Sequence, residues 1–302
     1  EGRLSFKNVI TFNLDEYYPM EPDSVNSYVR FMKEQLFNHV DILPENHHVP
    51  DGLLSKEDIA DYCDGYEAKI EALGGIDLQI LGIGGNGHIG FNESGSLQNS
   101  KTRLVALDHI TRVAASGDFG GLENTPRTAI TLGVKKIMEA KRVILMAWGE
   151  GKSNIIKASA EGEVTSAVPA SFLQEHNNAT FILDQAATSK LTRINTPWLV
   201  EKIDWTDQLI RKAVLSLALH LKKPILMLTD ADYIENGMSD LLADSGPAYD
   251  INIKIFNKLQ NTITGWPGGK PNADDSKRPE RAEPAKKRVI IFSPHPDDDI
   301  IS

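Results

Sequence analysis

One cysteine, Cys63, stands in 302 residues. An intrachain disulfide is excluded, and a lone thiol fits a reducing compartment, so a cytoplasmic protein is expected. No apolar run reaches the roughly 18 residues that a membrane-spanning helix needs. Positive charge is also short: 32 Lys and Arg stand against 42 Asp and Glu, for a net charge of −10. Nucleic-acid binding, which needs clustered cations against phosphates, is therefore not expected. A phosphorylated metabolite stays open, because a few local cations and backbone N–H groups can hold one. A leading Met is missing too; the chain starts EGRLSFKN, so the lack of a signal peptide carries little weight.

What is present is a globular composition, 41% hydrophobic and 25% charged. The length suits one large domain or two small ones. NVITFNL (8–14), IDLQILGI (76–83), RVILMAW (142–148) and ATFILD (179–184) read as buried strands. Helical spacing of apolar residues marks 24–40 and 55–75, with Ser55 as N-cap and Gly74 and Gly75 as the stop, and a helix is expected near 152–161. Continuous apolar strands alternating with helices predict an α/β fold: an open, mostly parallel, Rossmann-like three-layer sheet with helices on both faces. Ligands of such sheets bind beyond the carboxyl ends of the strands. Residues 195–262 read as mostly helical, with PILMLTDADY ambiguous between strand and helix. The segment 265–287 is rich in Pro, Gly and charge, as linkers are. The expected order is a domain over 1–194, a helical extension over 195–264, a linker over 265–287, and over 288–302 the truncated start of another domain.

Four motifs carry chemistry. FNLDEYYP places Asp15 at a strand end, as a carboxylate base or as a solvated turn acid. LGIGGNGHIGFNE turns sharply after a strand and brings His88 and Glu93 within reach of each other. A Glu beside a His fixes its tautomer and raises its basicity, as a proton shuttle needs; the plainer reading is a structural histidine in a glycine turn. The stretch does not continue as a helix and so misses the dinucleotide fingerprint. WGEGKSNIIK sets Lys152 at a helix start, as a phosphate ligand or as an ordinary exposed lysine. SPHPDDD offers His295 and Asp298 as candidate zinc ligands, two where a site needs at least three.

Taken together, FNLDEYYP, SYVRFM, LGIGGNGHIGFNE, DHITRVA, TPRTAITLGV and WGEGKSNIIKASAEG resemble the glucosamine-6-phosphate deaminase family over residues 4–190. The resemblance implies conversion of glucosamine 6-phosphate and water to fructose 6-phosphate and ammonia, with no cofactor. It implies ring opening by His88 oriented by Glu93 with Asn86 alongside, and transfer of the C2 proton to C1 by Asp15. Lys152 is implied on the phosphate, with Tyr28, Gly84 and Gly85 lining the substrate. Members differ in assembly, which leaves a homo-oligomer open. VIIFSPHPDDD resembles the start of the zinc-dependent LmbE/PIG-L deacetylases, which implies zinc for the full-length protein only.

Three departures from the family pattern matter. Many members carry Asp where this chain has Asn86; others carry Asn there, so the resemblance implies that it is tolerated, able to orient by hydrogen bonds but not to act as a base. A phosphate-binding arginine is replaced by Gly117, with Arg127 the nearest substitute. The family's first strand and phosphate loop are expected before residue 1, which puts catalysis by this stretch alone in question. Two alternatives follow: a sugar-phosphate-binding regulatory module, favoured by Gly117, and a 6-phosphogluconolactonase-like hydrolase, disfavoured by Asp15, since that reaction abstracts no C2 proton.

Overall fold

The computed structural model describes residues 4–262. In chain order it contains β1 (Thr11–Phe12), β2 (Asp15–Tyr18), α1 (Tyr28–Gln35), β3 (His47–His48), α2 (Ile59–Ala72), β4 (Gln79–Leu81) and β5 (Arg103–Ala106). There follow α3 (His109–Ala115), β6 (Thr128–Thr131), α4 (Val134–Met138), β7 (Val143–Ala147), α5 (Ser153–Glu161), β8 (Ala179–Leu183) and α6 (Thr192–Asn195). The last helices are α7 (Asp207–Leu221), α8 (Asp230–Glu235), α9 (Ser239–Ser245) and α10 (Ala248–Thr262). The candidate linker and the motif bearing His295 and Asp298 lie outside the described residues.

The chain divides into two compact units, Glu1–Asp204 and Trp205–Ser302. The first is α/β. A parallel sheet β4-β7-β8 carries its main core, a parallel pair joins β1 to β3, and an antiparallel sheet runs β2-β6-β5. The fully apolar run of β7 explains its central place: Val143, Leu145 and Ala147 face one side and are buried with Leu81, Ile70, Ile137 and Ile156. Each of the Val, Leu and Ile side chains among them contributes about 1.5–3 kcal/mol when fully buried. The opposite side of the sheet carries Ile80 and Ile182, both about half exposed. Helix α2 buries Ile59, Cys63, Tyr66, Glu67 and Ile70 at helical spacing and ends where Gly74 and Gly75 take φ of +89° and +82°. Its cap differs from expectation: Asp58 holds the N-cap position, and Ser55 closes the preceding turn by donating to the Asp58 carboxylate at 2.7 Å.

The larger correction concerns Asp15. The run 8–14 forms only the two-residue β1, and Asp15 does not end it. Asp15 instead opens β2, which pairs antiparallel with β6. The polar start of DEYY reads as a turn because Glu16 is a buried charge, 1% exposed, and burial of a carboxylate is not legible from hydropathy. Its partners explain the burial: Glu16 accepts from Ser27 Oγ at 2.8 Å and from the Tyr17 and Val29 amides at 2.9 and 3.2 Å.

The second unit is helical. Thr206 caps α7 through the Leu209 amide, and Thr229 and Asp232 form a reciprocal capping box on α8. The ambiguous PILMLTDADY resolves as a short 3₁₀ turn, Ile225–Met227, followed by α8. Tyr233, fully buried, donates to Asn252 Oδ1 at 2.7 Å, and Asn252 donates to the Leu228 carbonyl at 2.7 Å. No helix of the described residues is long and apolar enough to cross a membrane.

Candidate active site

The glycine turn after β4 is shaped around one imidazole. A Cβ on Gly84 would clash with Cε1, Nε2 and Nδ1 of the His88 ring, so only glycine leaves the ring room. His88 Nδ1 lies 3.1 Å from Glu93 Oε2. Glu93 is 6% exposed; burial works to raise its pKa, but the hydrogen bonds from His88, Thr111 and Asn86 outweigh it and bring the carboxyl down to about 2. An ionised carboxylate only accepts, so the imidazole proton sits on Nδ1 and the lone pair on Nε2. Asn86 fixes the turn twice over, accepting the His88 amide at 3.2 Å and donating to Glu93 Oε2 at 2.7 Å.

The antiparallel sheet supplies the rest. Cross-strand neighbours share a face, and the register sets Asp15 and Arg103 on either side of Thr131. This row holds three successive residues of the turn. An added Cβ on Gly90, which sits at φ +56°, would lie 3.3 Å from Asp15 Oδ2 and 3.0 Å from Thr131 Oγ1. Thr131 Oγ1 accepts the Phe91 amide at 3.0 Å. Arg103 donates to Asn92 Oδ1 at 3.0 Å, while Asn92, fully buried, donates to the Ile89 and Leu132 carbonyls. Asp15 is partly buried, and that burial, with Glu16 beside it, pushes its carboxyl up to about 7. A base poised near neutrality suits proton transfer.

Adjacent strand residues point to opposite faces. Glu16 therefore turns away from Asp15 and caps the start of α1, whose first residue is Tyr28. The Tyr28 ring stacks on Phe91 with centroids 6.4 Å apart, and Tyr17 packs against both at 5.1 and 5.5 Å. Lys152 closes the 3₁₀ turn after β7 and donates to the Ile83 carbonyl at 2.7 Å, at the head of the same glycine turn. Asp15, Asn86, His88, Glu93, Tyr28, Gly84 and Lys152 thus gather around one turn. Gly85 is exposed beside them, and a Cβ there would meet nothing. Gly117 lies in the turn after α3, and Arg127 is exposed just before β6. Among the described residues no cluster of three metal-ligating side chains occurs.

Residues 1–182 match the family described as glucosamine-6-phosphate isomerases/6-phosphogluconolactonase. The chain belongs to this family. It is 56% identical, over all 302 residues, to a glucosamine-6-phosphate deaminase-like protein of Bacteroides thetaiotaomicron, and spans 46% of that protein's length. A glucosamine-6-phosphate deaminase of Thermoanaerobacter sp. is 47% identical over 188 residues, 62% of this chain and 74% of that one. A monomeric glucosamine-6-phosphate deaminase of known structure superposes with a TM-score of 0.59 at 39% identity, covering 62% of this chain and 76% of that one. A 6-phosphogluconolactonase from Trypanosoma cruzi shares the fold, with a TM-score of 0.50 at 21% identity over 62% of this chain and 74% of that one.

The sequence singled out the turn, Asp15 and Lys152 but did not single out Glu16, Thr111, Thr131, Arg103 or Asp108. Thr111 Oγ1 lies 3.3 Å from His88 Nδ1. TAIT carried no signal for Thr131, since polar, apolar, apolar, polar follows neither strand alternation nor a helical period.

Proposed function

We propose that residues 1–194 form a glucosamine-6-phosphate deaminase domain, releasing ammonia and fructose 6-phosphate from glucosamine 6-phosphate and water. The observation that carries this reading is Asp15, a carboxylate with a near-neutral pKa lying against the turn that presents His88. His88 Nε2, with Glu93 on the far nitrogen, moves the proton between the ring oxygen and the anomeric hydroxyl and opens the ring. Asp15 takes the C2 proton and delivers it to C1 through an enolamine. Water then adds to the C2 imine and ammonia leaves. Each proton transfer contributes typically about two to four powers of ten. Lys152 holds the phosphate, and Tyr28 with Phe91 walls the sugar. A lactonase needs no C2 base, which makes Asp15 the discriminating residue.

The test is ammonia release from glucosamine 6-phosphate by the full-length protein, with exchange of the C2 proton followed in heavy water. Release with exchange supports the reading. Binding without either makes the domain a sugar-phosphate sensor, and hydrolysis of 6-phosphogluconolactone alone makes it a lactonase. On the likeness of VIIFSPHPDDD alone we also propose a zinc-dependent deacetylase segment in the full-length protein, with His295 and Asp298 as ligands. Deacetylation would supply the free amine that deamination consumes. Zinc content of the full-length protein, with and without His295→Ala, tests this.

A further inference from the structure

Asp108 occupies the N-cap position of α3, yet its side chain makes no capping bond to that helix. Its carboxylate reaches across to the glycine turn instead, where Asp108 Oδ2 accepts from Asn86 Nδ2 at 3.1 Å. Its own backbone N–H donates to Glu93 Oε1 at 3.2 Å. Asn86 has two amide hydrogens, and both go to carboxylates: one to Glu93 and one to Asp108. Its carbonyl oxygen takes the His88 amide. The side chain is therefore fully used, and its neutral N–H₂ group is what lets two carboxylates converge.

We infer that Asn86 and Asp108 are a matched pair, with Asp108 a positioning residue for the His88–Glu93 relay. An Asp at position 86 is nearly isosteric, but it would set a third carboxylate at hydrogen-bond distance from two others in place of the N–H₂ donor. Like charges at such separations cost several-fold to a hundredfold in an equilibrium, about the coupling seen between contacting residues. The head of α3 supplies the acid that the motif position itself gives up. Through Asn86 that acid fixes the oxygen of Glu93 which holds the His88 Nδ1 proton. Asp108 thus acts on ring opening without touching the substrate.

The inference rests on the deaminase reading above, and a double-mutant cycle in the full-length protein tests it with two readouts. Asn86→Asp alone should lower kcat for ammonia release about tenfold or more, with KM within about twofold. Asp108→Asn alone should lower kcat about threefold, because the bond survives to a neutral acceptor. The double variant should run faster than Asn86→Asp, and its thermal midpoint should lie above that of Asn86→Asp. A merely structural Asp108 would give the double variant the product of the two losses. That product, or a double variant no better than Asn86→Asp by either readout, overturns the pairing. If wild-type protein releases no ammonia, the deaminase reading falls, and the order of the thermal midpoints alone decides the pairing. Should Asn86→Asp fail to fold, recovery of folding by adding Asp108→Asn supports the pairing, and continued failure overturns it.

Discussion

Asp15 and Thr131 stand opposite each other in the antiparallel register of β2 and β6, and the Thr131 hydroxyl accepts the Phe91 amide at 3.0 Å. One strand pair therefore carries the proposed base and also the clasp on the turn that presents the proposed acid. Thr131 is fully buried. Thr131→Val keeps the shape and removes the acceptor, leaving the Phe91 N–H unpaired. It should cost about 1–3 kcal/mol in urea unfolding. Because both proposed catalytic groups are referenced to this clasp, kcat should fall while KM moves little.

Asp15→Asn should abolish both deamination and C2 proton exchange, since Asn accepts a hydrogen bond but takes no proton near neutrality. It should also change how stability depends on pH. The folded carboxyl holds its proton to about pH 7, whereas the ordinary value of the free group is 3.8. Between those values the folded state binds more protons than the unfolded one, so this group's contribution to stability falls as pH rises. Asn removes the slope. Above pH 7 the variant should therefore gain on wild type, by about 2 kcal/mol once partial solvent access is discounted. In wild type, kcat/KM should rise with pH through about 7, because only the ionised carboxylate can take the proton. Parallel stability curves for the two proteins from pH 4 to 8 would remove the case for a raised Asp15.

How much of this was legible depends on which periodicity a residue obeys. Strand β7 is a continuous apolar run at the middle of its sheet, and β8 is apolar apart from Thr180, so both stand out in the sequence. Strands β2, β5 and β6 have four residues each and carry Asp, Glu, Arg and Thr, so no alternation can be counted. Glu16 and Thr131 are buried and Arg103 half-buried for reasons visible only in three dimensions: Glu16 caps a helix, and Arg103 and Thr131 grip the turn. His88, Glu93 and Lys152 were legible because glycine turns mark them. Asp108 was not, since an acid before a helix reads as a cap.

Gly84 and Gly85 are adjacent, and the structure separates them. A methyl on Gly84 meets the His88 ring, whereas one on Gly85 meets nothing. Gly84→Ala should displace the imidazole and lower kcat about a hundredfold, the scale of one acid–base group. Gly85→Ala should leave kcat within about twofold, and neither change should shift the thermal midpoint by more than a few degrees. Equal effects from the two substitutions would mean that His88 does not occupy the space above Gly84.

Glu93 reports on the relay itself. Its two oxygens both accept, Oε1 from the Asp108 amide and Oε2 from Asn86 and His88, and the carboxyl stays ionised down to about pH 2. Glutamine can place an acceptor on only one of those sides. Glu93→Gln should therefore loosen the tautomer of His88 and slow ring opening. Substrate supplied in the open-chain form should restore much of the rate, as it should for His88→Gln, while nothing of that kind should restore Asp15→Asn. Combining Glu93→Gln with His88→Gln should cost little more than His88→Gln alone, because the carboxylate acts through the ring. The pH signature runs opposite to that of Asp15. A carboxyl depressed on folding contributes stability above its unfolded pKa, near 4.5, and loses it as pH falls toward 2. Wild type should lose stability across that acid window more steeply than Glu93→Gln. A variant whose acid unfolding follows the same slope would mean that Glu93 is not the ionised anchor of the imidazole.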